Sequence, residues 1–587
     1  MINLKINGIP VEAQEGATIL EAARQIGIEI PTLCYMNKIN AIGACRMCVV
    51  EVKNARFNVA SCVYPVAEGM EVFTNTETIA KARRTTLELI LSNHRTDCLT
   101  CLRSQNCELQ ALSKSLGVGE IRYRPDDLPP APEASMPHLV RDNSKCILCR
   151  RCVAVCKENQ AVACIGPNDR GFATHISCAF DRDLKESPCV SCGQCIAACP
   201  TGALTERDQT QEVWDAIANP DKLVVVGTAP SVRVTLGECF GEPVGTNVEG
   251  KMFAALRRLG FNGVFDVDVT ADLTIMEEAN EFVQRVKNGG TLPMMTSCSP
   301  GWVNYLERYY PQLIPNLSSC KSPQQMFGAM MKTYYAEKEG IDPKNIFVVT
   351  VMPCTAKKYE ALHNDSAVKG LPDVDVALTT RELARMIDRA GLIFKSLPDE
   401  EADPAFGAST GAGVIFGATG GVMEAALRTA VETLTGETLP NVEFGGVRGV
   451  AGLKEASYDV AGMKVNVAVA SGTANAKKLI EMVLSGEKEY HFIEIMGCPG
   501  GCVNGGGQPV QPMSLKNFTD VRETRAKTIY QMDMGSKIRK SHDSPMIKTL
   551  YEDYLGEPGS HKAHEVLHTR YREVPKYPDV EQLTVNN

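Results

Sequence analysis

The chain has 587 residues, 44% of them apolar and 22% charged, and 61 basic against 70 acidic side chains leave a net charge of −9. That length holds three or four domains of ordinary globular composition. It carries no basic block long enough to mark nucleic acid, and no uninterrupted apolar span reaches the ~18 residues of a transmembrane helix. The 23 cysteines fall mostly in clusters two or three residues apart, a spacing that suits metal in a reducing compartment better than disulfides. The first residues show neither a charged segment followed by an apolar one nor a twin arginine, so the expected location is cytoplasmic.

Residues 2–13 alternate apolar and polar around Asn7-Gly8, a hairpin signal. Thr18-Ile-Leu-Glu21 reads as a capping box for a helix ending near Gly27. Cys34, Cys45, Cys48 and Cys62 follow. A Cys-x2-Cys pair with one cysteine upstream and one well downstream is similar to the plant-type [2Fe–2S] arrangement, with a first gap of ten residues instead of four. Structural zinc is the competing reading, and the hairpin and helix before the loop favour iron-sulfur.

A helix-like segment from Glu77 to Ser92 leads to His94, Cys98, Cys101 and Cys107. One imidazole and three thiolates fit zinc or a [4Fe–4S] cluster equally. Their place between two iron-sulfur motifs favours the cluster. Residues 121–138, with Pro125, Pro129, Pro130, Pro132 and Pro137, read as an extended connector. Cys146, Cys149, Cys152 and Cys156 then repeat as Cys189, Cys192, Cys195 and Cys199-Pro200. This is the two-cluster ferredoxin pattern, in which the fourth cysteine of each run serves the other cluster. Cys199 should therefore join the first three, and Cys156 the second three. Cys164 and Cys178 fit neither run and read as packing residues.

After residue 209 the texture becomes α/β. Strands are expected at Leu223–Val226, Gly263–Val269, Ile346–Val351, Val374–Leu378, Val465–Ala470 and Phe492–Ile495, with helices such as Lys251–Leu259 and Met276–Val286 between them. Ligand sites gather at strand carboxyl ends in such sheets. Cys298, Cys354 and the Cys498/Cys502 pair each follow an apolar run closely. The glycines at 411, 413, 417, 420 and 421 suggest tight turns or close backbone approach more than a nucleotide site.

Taken together, these motifs resemble an [FeFe]-hydrogenase of the large, multi-cluster clostridial type, from the first strand to about His568. The chain is also similar to the hydrogenase subunit of NADP-reducing complexes, and its N-terminal third to the large iron-sulfur subunit of complex I. The resemblance implies an α+β multidomain chain: a β-grasp [2Fe–2S] domain (1–78), a His-ligated [4Fe–4S] domain (79–125), a two-[4Fe–4S] ferredoxin-like domain (139–208), a large α/β domain with two mainly parallel sheets (209–575), and a tail (576–587). It implies reversible interconversion of H2 with two protons and two electrons. The cofactors implied are one [2Fe–2S] cluster, three accessory [4Fe–4S] clusters, and a further [4Fe–4S] cubane joined to a di-iron unit carrying CO, cyanide and a bridging dithiolate.

Cys354, Cys498 and Cys502 match the family's cubane ligands, with Cys502 bridging. Ala229, Pro230, Ser231, Gln324, Met352, Lys357, Phe416 and Met496 match the pocket around the two irons, with Lys357 the cation that holds a cyanide. Where many members have two cysteines before Pro-Gly-Trp, this chain has Cys298-Ser299. Counted from Pro300, serine stands at the ligand position and cysteine at the relay position, so Cys298 is ligand or relay. Glu278, Glu281 and Arg285 share one helix face by spacing. With Ser318 and Cys298 they match the family's proton relay, entering at Arg285 and Glu281 and passing Ser318 and Glu278 to Cys298. The partners implied are ferredoxin or flavin/NAD(P)-binding subunits, and maturation proteins. The competing class is a non-catalytic sensor or cluster-assembly protein on the same fold.

Overall fold

The computed structural model describes residues 1–123, 132–363, 365–460 and 462–577. Pro125, Pro129 and Pro130 of the expected connector, and the tail from residue 578, lie outside the described residues.

Asn7 and Gly8 both take positive φ, 51° and 81°, the backbone a two-residue hairpin turn needs. They join β1 (Ile2–Ile6) to β2 (Ile9–Ala13) in antiparallel register. β3 (Val49–Val52), β4 (Val59–Ala60) and β5 (Glu71–Phe73) complete a sheet of order β2-β1-β5-β3-β4, with β1 and β5 parallel. The Ile19–Gln25 helix starts at the expected capping box, Thr18 and Glu21 bonding reciprocally. It buries Ile19 and Leu20 with Leu4, Ile6 and Val72. The Glu77–Ser92 helix forms with the bounds expected from sequence and is capped by Thr76.

β6 (Leu139–Arg141) and β9 (Leu204–Glu206) pair antiparallel and bracket both long cysteine runs. The insert between the runs folds into a second hairpin, β7 (Gly166–Asn168) with β8 (His175–Ser177). Sequence pattern did not announce it, because three-residue strands are too short to show alternation.

The rest of the described chain builds two four-stranded sheets. β10 (Leu223–Thr228), β11 (Gly263–Asp266), β13 (Ile346–Met352) and β14 (Val376–Thr379) form a wholly parallel sheet of order β11-β10-β13-β14. β12 (Met294–Met295), β15 (Leu453–Val460), β16 (Met463–Ser471) and β17 (Phe492–Met496) form the other, order β12-β17-β16-β15, parallel except for the β15–β16 hairpin. In β16, Val465, Val467 and Val469 enter one core while Ala468 and Ala470 enter another that includes Ile165, Ile176 and Leu184 of the ferredoxin-like region. Both faces are buried, so the strand reads as a continuous apolar run.

One expected strand is shorter than its apolar run. β11 stops at Asp266, and the Asp268–Asn288 helix takes over. The Asp266 carboxylate accepts the Asp268 N–H at 3.0 Å and pairs with Arg233 at 2.7 Å. Val267 and Val269 stay buried on the turn and the helix, so hydrophobicity carries no mark of the boundary. Met276–Val286 is accordingly the second half of a 21-residue helix. Likewise the strand expected at Val374–Leu378 is β14, Val376–Thr379. Among the described residues no helix is long and apolar enough to cross a membrane.

Candidate active site and its metal centres

Three strand ends in the two large sheets deliver the three cysteine stretches. Cys354 lies two residues beyond β13, Cys498 two beyond β17, and Cys298 three beyond β12. Cys354, Cys498 and Cys502 converge. Burial, then the Cys354 charge, push the Cys502 thiol up to about 12, and burial followed by Cys354 and Cys502 pushes Cys498 higher. Buried thiolates that repel one another become favourable once a metal cation sits among them, so the donor set fits a soft-metal cluster.

The loop around them is glycine because the space is backbone-tight. A Cβ on Gly506 would stand 2.3 Å from the Cys192 carbonyl oxygen, and Gly501, at φ 91°, packs on the Thr419 backbone nitrogen. Glycine alone tolerates both conditions.

The other residues expected around the pocket are buried. Ala229, Pro230 and Ser231 follow β10, Met352 and Met496 end their strands, and Phe416 follows the Gly411–Ile415 helix. Gln324 receives Thr350 Oγ1 at 2.9 Å and donates to the Lys357 carbonyl and to Glu360. Lys357 Nζ is held 2.9 Å from Glu360 Oε2 and 3.1 Å from the Cys298 carbonyl. Gln508 is a residue the sequence reading missed. It ties Ser231 Oγ, Thr235, Thr380 and the Cys502 carbonyl together. Glu494 was missed too: it is fully buried and accepts the Gly420 and Met423 N–H groups at 2.6 and 2.7 Å. Its place two residues before Met496 was the available signal, a carboxylate inside an otherwise apolar strand.

Cys298 and Ser299 point to different neighbours. Ser299 Oγ accepts the Gly497 N–H at 3.0 Å, one residue before Cys498. The Cys298 thiol is buried, and after burial itself the Glu278 charge is what raises it most. Glu278 has no exposure and neither oxygen has a hydrogen-bond partner among the described residues. Burial, then the Glu281 charge, push it up to about 8. Ser318 Oγ donates to Glu281 Oε2 at 2.9 Å, and Arg285 pairs with Glu281 at 2.6 Å. Of the five expected relay residues, Glu278, Ser318 and Cys298 are buried, and the Glu281–Arg285 pair beside Ser318 is half-buried.

In the first domain, Cys48 and Cys62 lie 3.3 Å apart, and Cys34 and Cys45 form a second close pair. The Cys34 thiol holds Cys45 down to about 6, and Cys62 holds Cys48 to about 7. His94 is half-buried, and its Nδ1 has no hydrogen-bond partner among the described residues, as a metal ligand would stand. Burial raises the Cys107 thiol, and the charge of Cys101 adds to it.

In the ferredoxin-like region one cavity is lined by Cys146, Cys149, Cys152 and Cys199, and another by Cys156, Cys189, Cys192 and Cys195. This is the crosswise sharing expected from the spacing. Cys178 packs in the core and Cys164 against it. The Cys164 sulfur also lies 3.7 Å from Cys156 Sγ and lines the second cavity.

The sites touch in series. Asn40 Nδ2 donates to the carbonyls of both Cys34 and Cys149, at 2.8 and 3.0 Å. A Cβ on Gly202 would meet Cys101 Sγ at 2.5 Å, beside the first cavity. Cys498 Sγ lies 4.0 Å from the Cys192 carbonyl. Two N-terminal sites thus meet the first ferredoxin cavity, and the second meets the buried thiols of the large domain.

The "iron only hydrogenase large subunit, C-terminal domain" family matches residues 222–506, and "iron hydrogenase small subunit" matches 519–574. Upstream, "2Fe-2S iron-sulfur cluster binding domain" matches 1–77, "NADH-ubiquinone oxidoreductase-G iron-sulfur binding region" 83–122, and "4Fe-4S dicluster domain" 145–203. The NADP-reducing hydrogenase subunit HndD of Solidesulfovibrio fructosivorans is 47% identical over 97% of this chain and 99% of its own. Iron hydrogenase 1 of Clostridium pasteurianum is 43% identical over 97% and 100%. A solved apo [FeFe]-hydrogenase HydA1 from Chlamydomonas reinhardtii is 42% identical, covers 63% of this chain and all of its own, and superposes with a TM-score of 0.56.

Proposed function

Because the chain belongs to the iron-only hydrogenase family, and so is an enzyme that interconverts H2 with protons and electrons, we propose that its own residues divide that reaction into three tasks. The observation that carries the proposal is the group of thiols Cys354, Cys498 and Cys502, in which, beyond burial, Cys354 raises Cys502 and both raise Cys498, with Cys498 Sγ 4.0 Å from the Cys192 carbonyl and Lys357 Nζ held between Glu360 and the Cys298 carbonyl.

The domains divide at 1–78, 79–125, 139–208 and 209–575. The first is a β-grasp fold holding one [2Fe–2S] cluster on Cys34, Cys45, Cys48 and Cys62. His94, Cys98, Cys101 and Cys107 hold a [4Fe–4S] cluster, and the two ferredoxin cavities hold two more. The Cys354, Cys498 and Cys502 thiols would hold the cubane of the active-site cofactor, Cys502 being the one that would also hold its di-iron unit with CO, cyanide and a dithiolate. When bound, that unit supplies the redox chemistry of H2, which side chains alone cannot. Ala229, Pro230, Met352, Phe416 and Met496 keep water out, and Lys357 offers its ammonium to an anionic ligand nitrogen.

Protons pass between Arg285 and Glu281 at the outer end, Ser318 and Glu278 in the middle, and Cys298 at the pocket. The Glu278 charge, which after burial raises the Cys298 thiol most, supports its role as relay. The position of Ser299 Oγ beside Cys498 supports a serine oxygen at the fourth corner of the cubane. Electrons travel through the thiol sites to a partner, either ferredoxin or a flavin- and NAD(P)-binding subunit. The name of the HndD relative, a subunit of an NADP-reducing hydrogenase, supports the second. Assembly of the di-iron unit requires maturation proteins.

An infrared spectrum for CO and cyanide bands, taken with an H2-evolution assay, tests the whole. Bands with turnover are expected; bands without turnover would instead favour a sensor.

A further inference from the structure

We propose that His568 is an outlet of the proton path, exchanging protons with Glu281 through Ser319 and with solvent beside His564. The proposal rests on the relay reading given above.

Glu281 has a titratable exit other than Arg285. The Arg285 guanidinium bonds Glu281 Oε1 at 2.6 Å and the carbonyls of Thr291, Pro315 and Leu317 at 3.1, 3.2 and 2.7 Å. So tethered, it holds Glu281 in place at that end of the path. On the other carboxylate oxygen, Ser319 approaches with its N–H at 3.0 Å and its Oγ at 3.4 Å. The same Oγ lies 2.8 Å from His568 Nδ1. One hydroxyl hydrogen thus stands between a carboxylate and an imidazole nitrogen, the arrangement of a relay.

The far side of the imidazole is held by a second carboxylate. His568 Nε2 lies 3.1 Å from Glu277 Oε2, and buried Glu277 is fixed by Tyr551 OH at 2.5 Å and the Gly559 N–H at 2.9 Å. The remaining groups around the ring are Cys320, whose backbone pairs with that of His568, and His564, whose ring centroid is 4.0 Å away and which is exposed. His561 lies beyond His564. In the H2-oxidising direction, Ser319 gives its proton to Nδ1 and takes one from Glu281. The imidazolium, paired with Glu277, then releases one proton to water or His564. Nothing else is consumed, and the reverse order serves H2 evolution.

The test uses holoenzyme matched for iron content and for CO and cyanide bands. Ser319→Ala and His568→Gln should each lower turnover about tenfold or more, within the range a positioned proton carrier supplies. His568→Gln should also change the pH profile of turnover, and Ser319→Thr, which keeps the hydroxyl, should restore the rate. Wild-type turnover and pH profile in Ser319→Ala would overturn the proposal even if His568→Gln failed to assemble. An equal loss in Ser319→Thr would assign the effect to packing and overturn it as well. Glu281→Gln separates the two levels: if it is inactive while Ser319→Ala is not, only the outlet fails, and if it is fully active, the relay itself fails.

Discussion

Replacing Glu278 by glutamine separates what this carboxyl does for the reaction from what it does to stability. The side chain has no exposure and titrates near 8 because burial, then the Glu281 charge, disfavour its ionised form. At pH 7 it is mostly the neutral acid, and glutamine copies that charge and shape. The unfolded chain ionises the same carboxyl near 4.5. Between these values the native state holds a proton that the unfolded state has lost, so native stability falls as pH rises from about 4.5 to about 8 and levels off above. At roughly 1.4 kcal/mol per pH unit the loss amounts to about 5 kcal/mol. Glu278→Gln lacks this dependence: its unfolding midpoint should match the parent near pH 4.5 and exceed it increasingly towards pH 8. Its turnover should fall roughly a hundredfold or more, since an amide cannot carry a proton between Ser318 and Cys298. Unfolding midpoints across pH 5–8 and H2 evolution on iron-matched samples measure both. Unchanged turnover with the cofactor intact refutes the path; a stability difference independent of pH refutes the burial argument.

Cys298→Ala should keep a full complement of cubane iron while turnover falls on the order of a hundredfold; loss of iron from the cubane would make the thiol a ligand. Ser299→Cys should alter the cubane's electron paramagnetic resonance signal and midpoint potential, and an unchanged signal would remove serine from the fourth corner. Glu206 gives up solvation on burial, yet Arg381 and Arg385 more than offset that loss and hold it well below the usual carboxylate range. Its contribution is present above the ordinary glutamate value and is lost as pH falls below it. Glu206→Gln leaves the buried Arg381 and the half-buried Arg385 guanidinium groups under-paired and should destabilise the protein by about 3 kcal/mol, read as a lowered unfolding midpoint. Gly506→Ala should displace the Cys192 carbonyl and slow electron transfer from the ferredoxin clusters; an unchanged transfer rate with all clusters present would show the loop yields elsewhere.

Much of the molecule is legible from local chemistry. The Asn7-Gly8 turn, the Thr18 cap and the Glu77–Ser92 helix follow from backbone geometry and short-range hydrogen bonds, which neighbouring residues decide by themselves. The paired cysteine runs announce their crosswise sharing because four thiols at fixed spacing have few ways to surround a cluster. The two buried sheets appear as apolar runs, but the end of β11 does not, since Val267 and Val269 remain buried after the chain has turned into a helix.

What only the tertiary structure decides is how these parts meet. Asn40 touching both Cys34 and Cys149, Cys164 standing against Cys156, and Cys498 beside Cys192 are contacts between distant segments, and no spacing encodes them. The same holds where Cys298 and Ser299 part. Adjacent in sequence, they have different neighbours: the Glu278 charge raises the buried Cys298 thiol, while Ser299 Oγ accepts the Gly497 N–H. The reason is physical: residue types state which chemistry a position can perform, while the partner that makes it a relay, a ligand or a packing group arrives from elsewhere in the fold.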